Sequence, residues 1–198
     1  MTDLGKDSAE QAVCLDGSDS GFYWLPAGRE EDMDNFIIYL RGGEWCYDED
    51  DCLARSKTEL GSSIGWPQTI TGPGGVGSSD CEISGEFCKY NKVYVKYCDG
   101  TSFTGTHLNP ITVQGTPIYF RGKSILSGVL KTLSAKFNLS NAENVVLTSG
   151  AAGGISVFLH ADYVHGELDP TNSGVPIFAA VPIHDRDLVD HDSTGCPI

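Results

Sequence analysis

Val145 to Val157, read as VVLTSGAAGGISV, is the stretch that decides the fold. Val145, Val146 and Leu147 form a short apolar run rich in β-branched residues. Thr148 and Ser149 follow, then five small residues, Gly150 to Gly154. Ile155-Ser156-Val157-Phe158-Leu159 is apolar again and runs into His160. A buried strand, a tight turn and a helix returning over the sheet have this pattern. So sharp a bend needs small residues two before and two after its apex, and Ser149 and Gly153 hold those places around Ala151. Where such a bend serves chemistry its apex carries the nucleophile, and a methyl group is not one.

Working outward, the chain has 198 residues, 40% of them hydrophobic, enough for one domain with a substantial core. Lys and Arg total 13 against 27 Asp and Glu, a formal net charge of -14. That acidity disfavours nucleic acid and anionic lipid as partners. No apolar run has the length of a membrane span. The opening, MTDLGKDSAEQAV, reads as a polar tail over residues 1–13 with no apolar core of a signal peptide, leaving 14–198 as the domain. Cysteine stands at 14, 46, 52, 81, 88, 98 and 196. Cys46 with Cys52 and Cys81 with Cys88 lie close in polar, loop-like sequence, without the C-x-x-C steps or nearby histidines of a zinc site. Local disulfides and an oxidising compartment are expected, and the pairing of Cys14, Cys98 and Cys196 stays open. Disulfides without an export signal imply that the natural N-terminus extends further.

In chain order, Phe22-Tyr23-Trp24-Leu25 reads as an edge strand ended by Pro26-Ala27-Gly28. Phe36-Ile37-Ile38-Tyr39-Leu40 has the continuous apolar character of a central parallel strand. Arg41-Gly42-Gly43-Glu44-Trp45-Cys46 follows at once, and paired glycines there let a backbone approach a ligand closely or simply make a turn. Asp48, Glu49, Asp50 and Asp51 lack EF-hand spacing and read as a solvated loop within the Cys46–Cys52 link. Residues 61–85, rich in Gly, Ser, Thr and Pro, read as a long excursion of the kind that covers binding sites. Val93-Tyr94-Val95-Lys96-Tyr97 is the next strand, leading to a second loop, Cys98 to Gly105, at the same sheet edge. Leu126, Val129, Leu130, Leu133 and Phe137 recur at helical spacing, so 122–137 is predicted helical. Asn138-Leu139-Ser140 closes it and is also a glycosylation sequon. A helix over 153–164 and a strand over 175–181 complete the pattern of a doubly wound, mostly parallel α/β sheet.

Six blocks, in order, resemble the pectin acetylesterase family, which also contains the carboxylesterase Notum. Cys14 to Ser18 is similar to its CLDGS opening, and Leu40 to Cys46 to its LEGGGWC. Arg55 to Ser63 is similar to R-x-x-T-x-LGSS, Tyr97 to Gly105 to YCDGxSFTG, and Phe120-Arg121-Gly122 to FRG. Asn141 to Gly154 is similar to NAENxxLSGCSAGG. The resemblance implies an α/β-hydrolase with a Ser-His-Asp triad that cleaves carboxylic esters, either acetyl groups on a polysaccharide or a fatty acyl group on a protein. It implies no metal or organic cofactor, and a secreted, disulfide-rich protein. Carried onto this chain, the nucleophile slot is Ala151. The oxyanion hole comes from backbone amides of Gly42, Gly43, Glu44 and Ala152. Trp45, Asp99 and Ser102 are expected to line the pocket.

Three departures bear on activity. Ala151 replaces the serine, and Ser149 is no substitute, since its own register would put bulky Leu147 two residues before it. The chain stops at Ile198, ahead of the family's triad aspartate and histidine, so the sheet is expected to be incomplete at its C-terminal side. His184 and His191 in IHDRDLVDHD match neither and read as parts of an acidic surface loop, while His107, His160 and His165 read as packing or surface residues. Arg41 and Glu44 replace the family's glutamate and third glycine, and Glu44 puts negative charge beside a site meant to hold an anion. Two functions are therefore expected to compete: an impaired carboxylesterase lineage member, and a non-catalytic module that binds an acylated glycan or lipid.

Overall fold

The computed structural model describes residues 1–4, 11–150, 153–171, 173 and 176–182. Strands β1 (Thr2–Asp3), β2 (Gly21–Leu25) and β3 (Asn35–Leu40) are followed by helices α1 (Glu49–Arg55) and α2 (Cys81–Ser84). Then come β4 (Asn91–Val95), the short strands β5 (Ile111–Val113) and β6 (Thr116–Ile118), and helix α3 (Gly122–Lys136). Strand β7 (Asn144–Ser149), helix α4 (Gly153–Leu168) and β8 (Ile177–Pro182) end the described chain.

The main sheet has six strands in the order β1-β2-β4-β3-β7-β8. Strands β4, β3, β7 and β8 are mutually parallel, with Leu40 paired to both Val95 and Ser149, and Ser149 paired to Pro182. From β3 the chain steps one way to β4, then returns past β3 to β7 and on to β8. Right-handed crossovers place these connections on opposite faces. Phe36, Ile38, Leu40, Val145 and Leu147 share a core with Ile125, Leu126, Val129, Leu130 and Leu133 of α3 and with Val157 and Val164 of α4. Tyr39 and Tyr94, one residue out of phase with that set, stack on each other at 5.4 Å. The β3–β4 connection reaches the outer strands, where the Tyr23 hydroxyl donates to the Pro67 carbonyl at 2.6 Å and the Lys96 ammonium lies 4.8 Å from the Trp66 ring centre. The sheet is therefore doubly wound, as the alternation of strand and helix signals requires.

Several expectations change. Of the expected polar tail, the described residues 1–4 and 11–13 join the fold: Thr2 pairs with Phe22, Asp3 with Gly21, and Ala12 and Val13 are buried. Strand β2 is accordingly one in from the edge, antiparallel to β4, with Phe22 buried. The acidic run at 48–51 begins a helix instead of a loop. Asp48 caps it, its Oδ1 accepting the Asp51 amide at 2.8 Å, and Glu49, Asp50 and Asp51 occupy the first turn, where the helix dipole favours carboxylates. Of the 61–85 excursion, Trp66 and Pro67 touch the sheet, whereas more than half of its residues are exposed. The β5–β6 hairpin has a signal that was legible, Gln114-Gly115, whose positive φ angles of 49° and 81° suit a two-residue turn. Helix α3 stops where Asn138 takes a left-handed φ of 63°. Cys14 bonds to Cys98 across 84 residues, and the Cys46–Cys52 and Cys81–Cys88 pairs form as expected. No helix among the described residues is long and apolar enough to cross a membrane. Cys196, His184 and His191 lie outside the described residues.

Candidate active site

In a doubly wound sheet the crevice forms beyond the carboxyl ends of the strands where the winding reverses. Here that point lies between β3 and β7, where the loops 41–46 after β3 and 96–105 after β4 adjoin the end of β7 at Gly150 and the start of α4 at Gly153.

After β7, the Gly153 amide donates to the Gly150 carbonyl at 3.0 Å. A β-carbon on Gly153 would lie 2.6 Å from the Leu40 carbonyl oxygen and 3.0 Å from the Gly42 nitrogen. Glycine there lets α4 start against the 41–46 loop. Ala151 and Ala152 themselves lie outside the described residues. Ser149 is wholly buried, and among the described residues its hydroxyl has no hydrogen-bond partner.

The 41–46 loop is held by its carbonyls. Arg55 donates from Nη1 to Gly43 O at 2.7 Å and from Nη2 to Trp45 O at 3.3 Å. The Tyr97 hydroxyl donates to Glu44 O at 2.7 Å. Cys46 is tied by its disulfide and by its amide, which donates to Gly100 O at 3.2 Å. A β-carbon on Gly43 would come within 2.7 Å of both Leu60 and Tyr97. Glu44 has a φ of 60°, the left-handed conformation that glycine adopts most easily, which gives a physical reason for a third glycine at this place. Among the described residues, no carbonyl or side chain accepts from the amides of Gly42, Gly43, Glu44 or Trp45. Backbone amides left open in this way are the kind of donor that can hold a developing negative charge.

The 96–105 loop lies beneath. Of the three residues expected to line a pocket, Trp45 is open to solvent, whereas Asp99 and Ser102 are buried and support it. Ser102 and Phe103 are consecutive left-handed residues with φ of 53° and 58°, a strained pairing for side chains of their size. Asp99 holds the turn: its Oδ2 accepts the amides of Thr101 at 3.1 Å and Phe103 at 3.0 Å, together with the Thr101 hydroxyl. Burial raises the Asp99 carboxyl to about 6, against the pull of those donors. The Ser102 amide donates to the Tyr97 hydroxyl at 3.0 Å, and the Ser102 hydroxyl accepts the Trp45 indole N–H. Burial, reinforced by the Asp99 charge, also raises the Tyr97 phenol, so it stays protonated and able to donate to Glu44. His160 is buried on α4 with Nε2 3.3 Å from Ser102 O, and burial followed by the nearby Lys123 charge lowers its pKa. It packs, as its sequence context indicated. Arg55 escaped the sequence reading, although it opens the R-x-x-T-x-LGSS stretch, because its partners are carbonyls that no side-chain pattern marks.

A family model described as pectinacetylesterase matches residues 1–179. Pectin acetylesterase 5 of Arabidopsis thaliana is 36% identical over 157 residues, covering 79% of this chain and 36% of the relative. The palmitoleoyl-protein carboxylesterase notum1a of Danio rerio is 34% identical over 154 residues, covering 77% and 29%. The structure of the Wnt deacylase Notum from Drosophila superposes with a TM-score of 0.74 at 28% identity, covering 87% of this chain and 49% of that one. The chain thus spans about half the length, or less, of these relatives.

Proposed function

This chain belongs to the pectinacetylesterase family, and we propose that it keeps that family's carboxylic-ester site without its reactive oxygen. The observation that carries the reading is the contact of Gly153 with Leu40 and Gly42, which brings the strand-to-helix bend beside the amide loop. An ester carbonyl in this crevice meets the amides of Gly42, Gly43 and Glu44, with Ala152 adding the amide that follows the nucleophile slot. A serine at the apex would attack the acyl carbon and form an acyl-enzyme. The Ala151 methyl forms none, so turnover falls to what binding and the oxyanion hole alone provide. The described histidine nearest in sequence, His160, is two helical turns past Gly153 and buried against Ser102, so it does not act as the base. An oxidising, extracellular setting accords with the three disulfides.

Hydrolysis of p-nitrophenyl acetate tests this reading, and the expected rate is no more than the small residue that binding and the amide donors provide, orders of magnitude below that of an acyl-enzyme mechanism. Turnover well above buffer that disappears in Ser149→Ala would overturn it. A second reading, ester binding without cleavage, is favoured by the fixed and solvent-exposed indole of Trp45. Calorimetry with an acetylated glycan is expected to show saturable heat that Trp45→Ala removes, and silence from the folded protein would end it.

A further inference from the structure

The chain holds one Asn-x-Ser/Thr sequence, Asn138-Leu139-Ser140, at the turn that ends α3. The tripeptide is common, so its place in the fold decides what it can do. Asn138 and Ser140 are exposed, whereas Leu139 between them is 1% exposed. Asn138 takes its left-handed φ of 63° more readily than most side chains would. Its Oδ1 accepts from Asn141 Nδ2 at 2.6 Å, and its Nδ2 donates one hydrogen to Asp34 Oδ1 at 3.3 Å. Among the described residues nothing accepts the second Nδ2 hydrogen. The side-chain amide is therefore fixed at the surface with one N–H free.

This turn lies at the pole of the sheet away from the crevice. Asp34, against which Asn138 rests, immediately precedes β3, and its carbonyl accepts the Glu143 amide just ahead of β7. The crevice opens past Leu40 and Ser149, at the other ends of the same two strands. Five strand steps of about 3.3 Å put roughly 16 Å of sheet between the two. A bulky polar group on Nδ2 thus stands in water, clear of the 41–46 loop.

We propose that Asn138 is a site of N-linked glycosylation. The inference goes beyond the ester-site reading and rests only on the oxidising setting that the disulfides indicate. The donor is a polyprenyl-pyrophosphate-linked oligosaccharide. Nδ2 bonds to the sugar C1 as the bond from C1 to the pyrophosphate oxygen breaks. Nδ2 gives up one proton, the polyprenyl pyrophosphate leaves with the electron pair, and nothing is oxidised or reduced. The remaining N–H keeps the Asp34 contact. In the fold, Leu139 is buried and the turn is closed by Asn141 N to Asn138 O at 3.0 Å and Ala142 N to Leu139 O at 3.1 Å. A transferase that must grip Asn138 and Ser140 together therefore acts before this turn forms.

The test is translation of the chain, behind a signal peptide, into endoplasmic-reticulum microsomes, read by mass before and after peptide-N-glycosidase F. The parent and Ser140→Thr are expected to carry one removable glycan, and Ser140→Ala and Asn138→Gln none. Ser140→Ala leaves the Asn138 turn in place, so it separates loss of the sugar from loss of the fold. Parent protein with its disulfides formed and no glycan, or a glycan that Ser140→Ala retains, would overturn the site. Parent recovered with its cysteines reduced would remove the setting and the site with it, leaving the ester-site reading untouched. Folded parent offered to permeabilised microsomes should stay unmodified while the reduced, unfolded chain is modified. Equal modification of both would overturn the order of transfer and folding.

Discussion

Gly153, at the first position of α4, packs directly on the backbone of Gly42: a β-carbon built on it would stand 3.0 Å from the Gly42 nitrogen and 2.6 Å from the Leu40 oxygen. Neither neighbour can yield, because both are main-chain atoms at the end of the central strand. Gly153→Ala is therefore expected to destabilise by about 2 kcal/mol or more, although alanine is the better helix former. Gly166, in the same helix, has open space where a β-carbon would go. Gly166→Ala is expected to stabilise by about 0.5–1 kcal/mol. Urea unfolding of the two variants checks both signs, and equal effects would show that the helix start is not constrained by the loop.

The Tyr97 hydroxyl joins the two loops, donating to Glu44 O and accepting from Ser102 N. Tyr97→Phe leaves that amide and that carbonyl without their partner and is expected to cost about 1–3 kcal/mol. Released from below, the Trp45 loop should become more mobile. Acrylamide quenching of tryptophan fluorescence should rise in the folded variant, since Trp66 is buried, Trp24 only partly exposed, and Trp45 the most open of the three.

Asp99 makes a pH prediction whose sign differs from that of most carboxylates. Its pKa is raised to about 6 in the fold, chiefly by burial, and lies near 3.9 in an unfolded chain. Between about pH 4 and 6 the folded protein holds a proton that the unfolded chain has released, so its contribution is full below that window and lost as pH rises through it. Asp99→Asn removes the term. Measured as the difference in urea stability between parent and variant, the balance should shift toward the variant by on the order of 2 kcal/mol from pH 4.5 to 6.5. A difference that does not change with pH would show that Asp99 is not buried as described.

The three disulfides should differ in worth. Cys14–Cys98 spans 84 residues, whereas Cys81–Cys88 spans 7. On loop-closure entropy, replacing the first pair by alanine costs about 4–5 kcal/mol and replacing the second by serine about 2 kcal/mol. Chemical unfolding of the two double variants should rank them in that order.

What could be read in the sequence alone follows from short-range rules. The apolar runs at 36–40 and 145–147 and the helical spacing from Leu126 to Leu133 each mark an element through its own pattern, and the elements appear at those places. Three of the six family blocks, Leu40 to Cys46, Tyr97 to Gly105 and Asn141 to Gly154, span the chain that leaves the carboxyl ends of β3, β4 and β7. The sequence also settled the missing hydroxyl at Ala151, which needs no coordinates.

The tertiary structure decided what depends on partners far along the chain. Cys14 meets Cys98 because β2 and β4 are neighbours, and Thr2–Asp3 becomes a strand because β2 offers it an edge. Asp48 to Asp51 read as loop by charge, yet they open a helix because the Asp48 cap and the Cys46–Cys52 link outweigh a weak local preference. Asp99 and Ser102 lie in a motif that looks like a pocket lining but serve as supports, since Trp45 and Tyr97 arrive from above them only once the strands are paired. Such roles arise from hydrogen bonds between residues far apart in the chain, whose energies act only after the fold has brought them together.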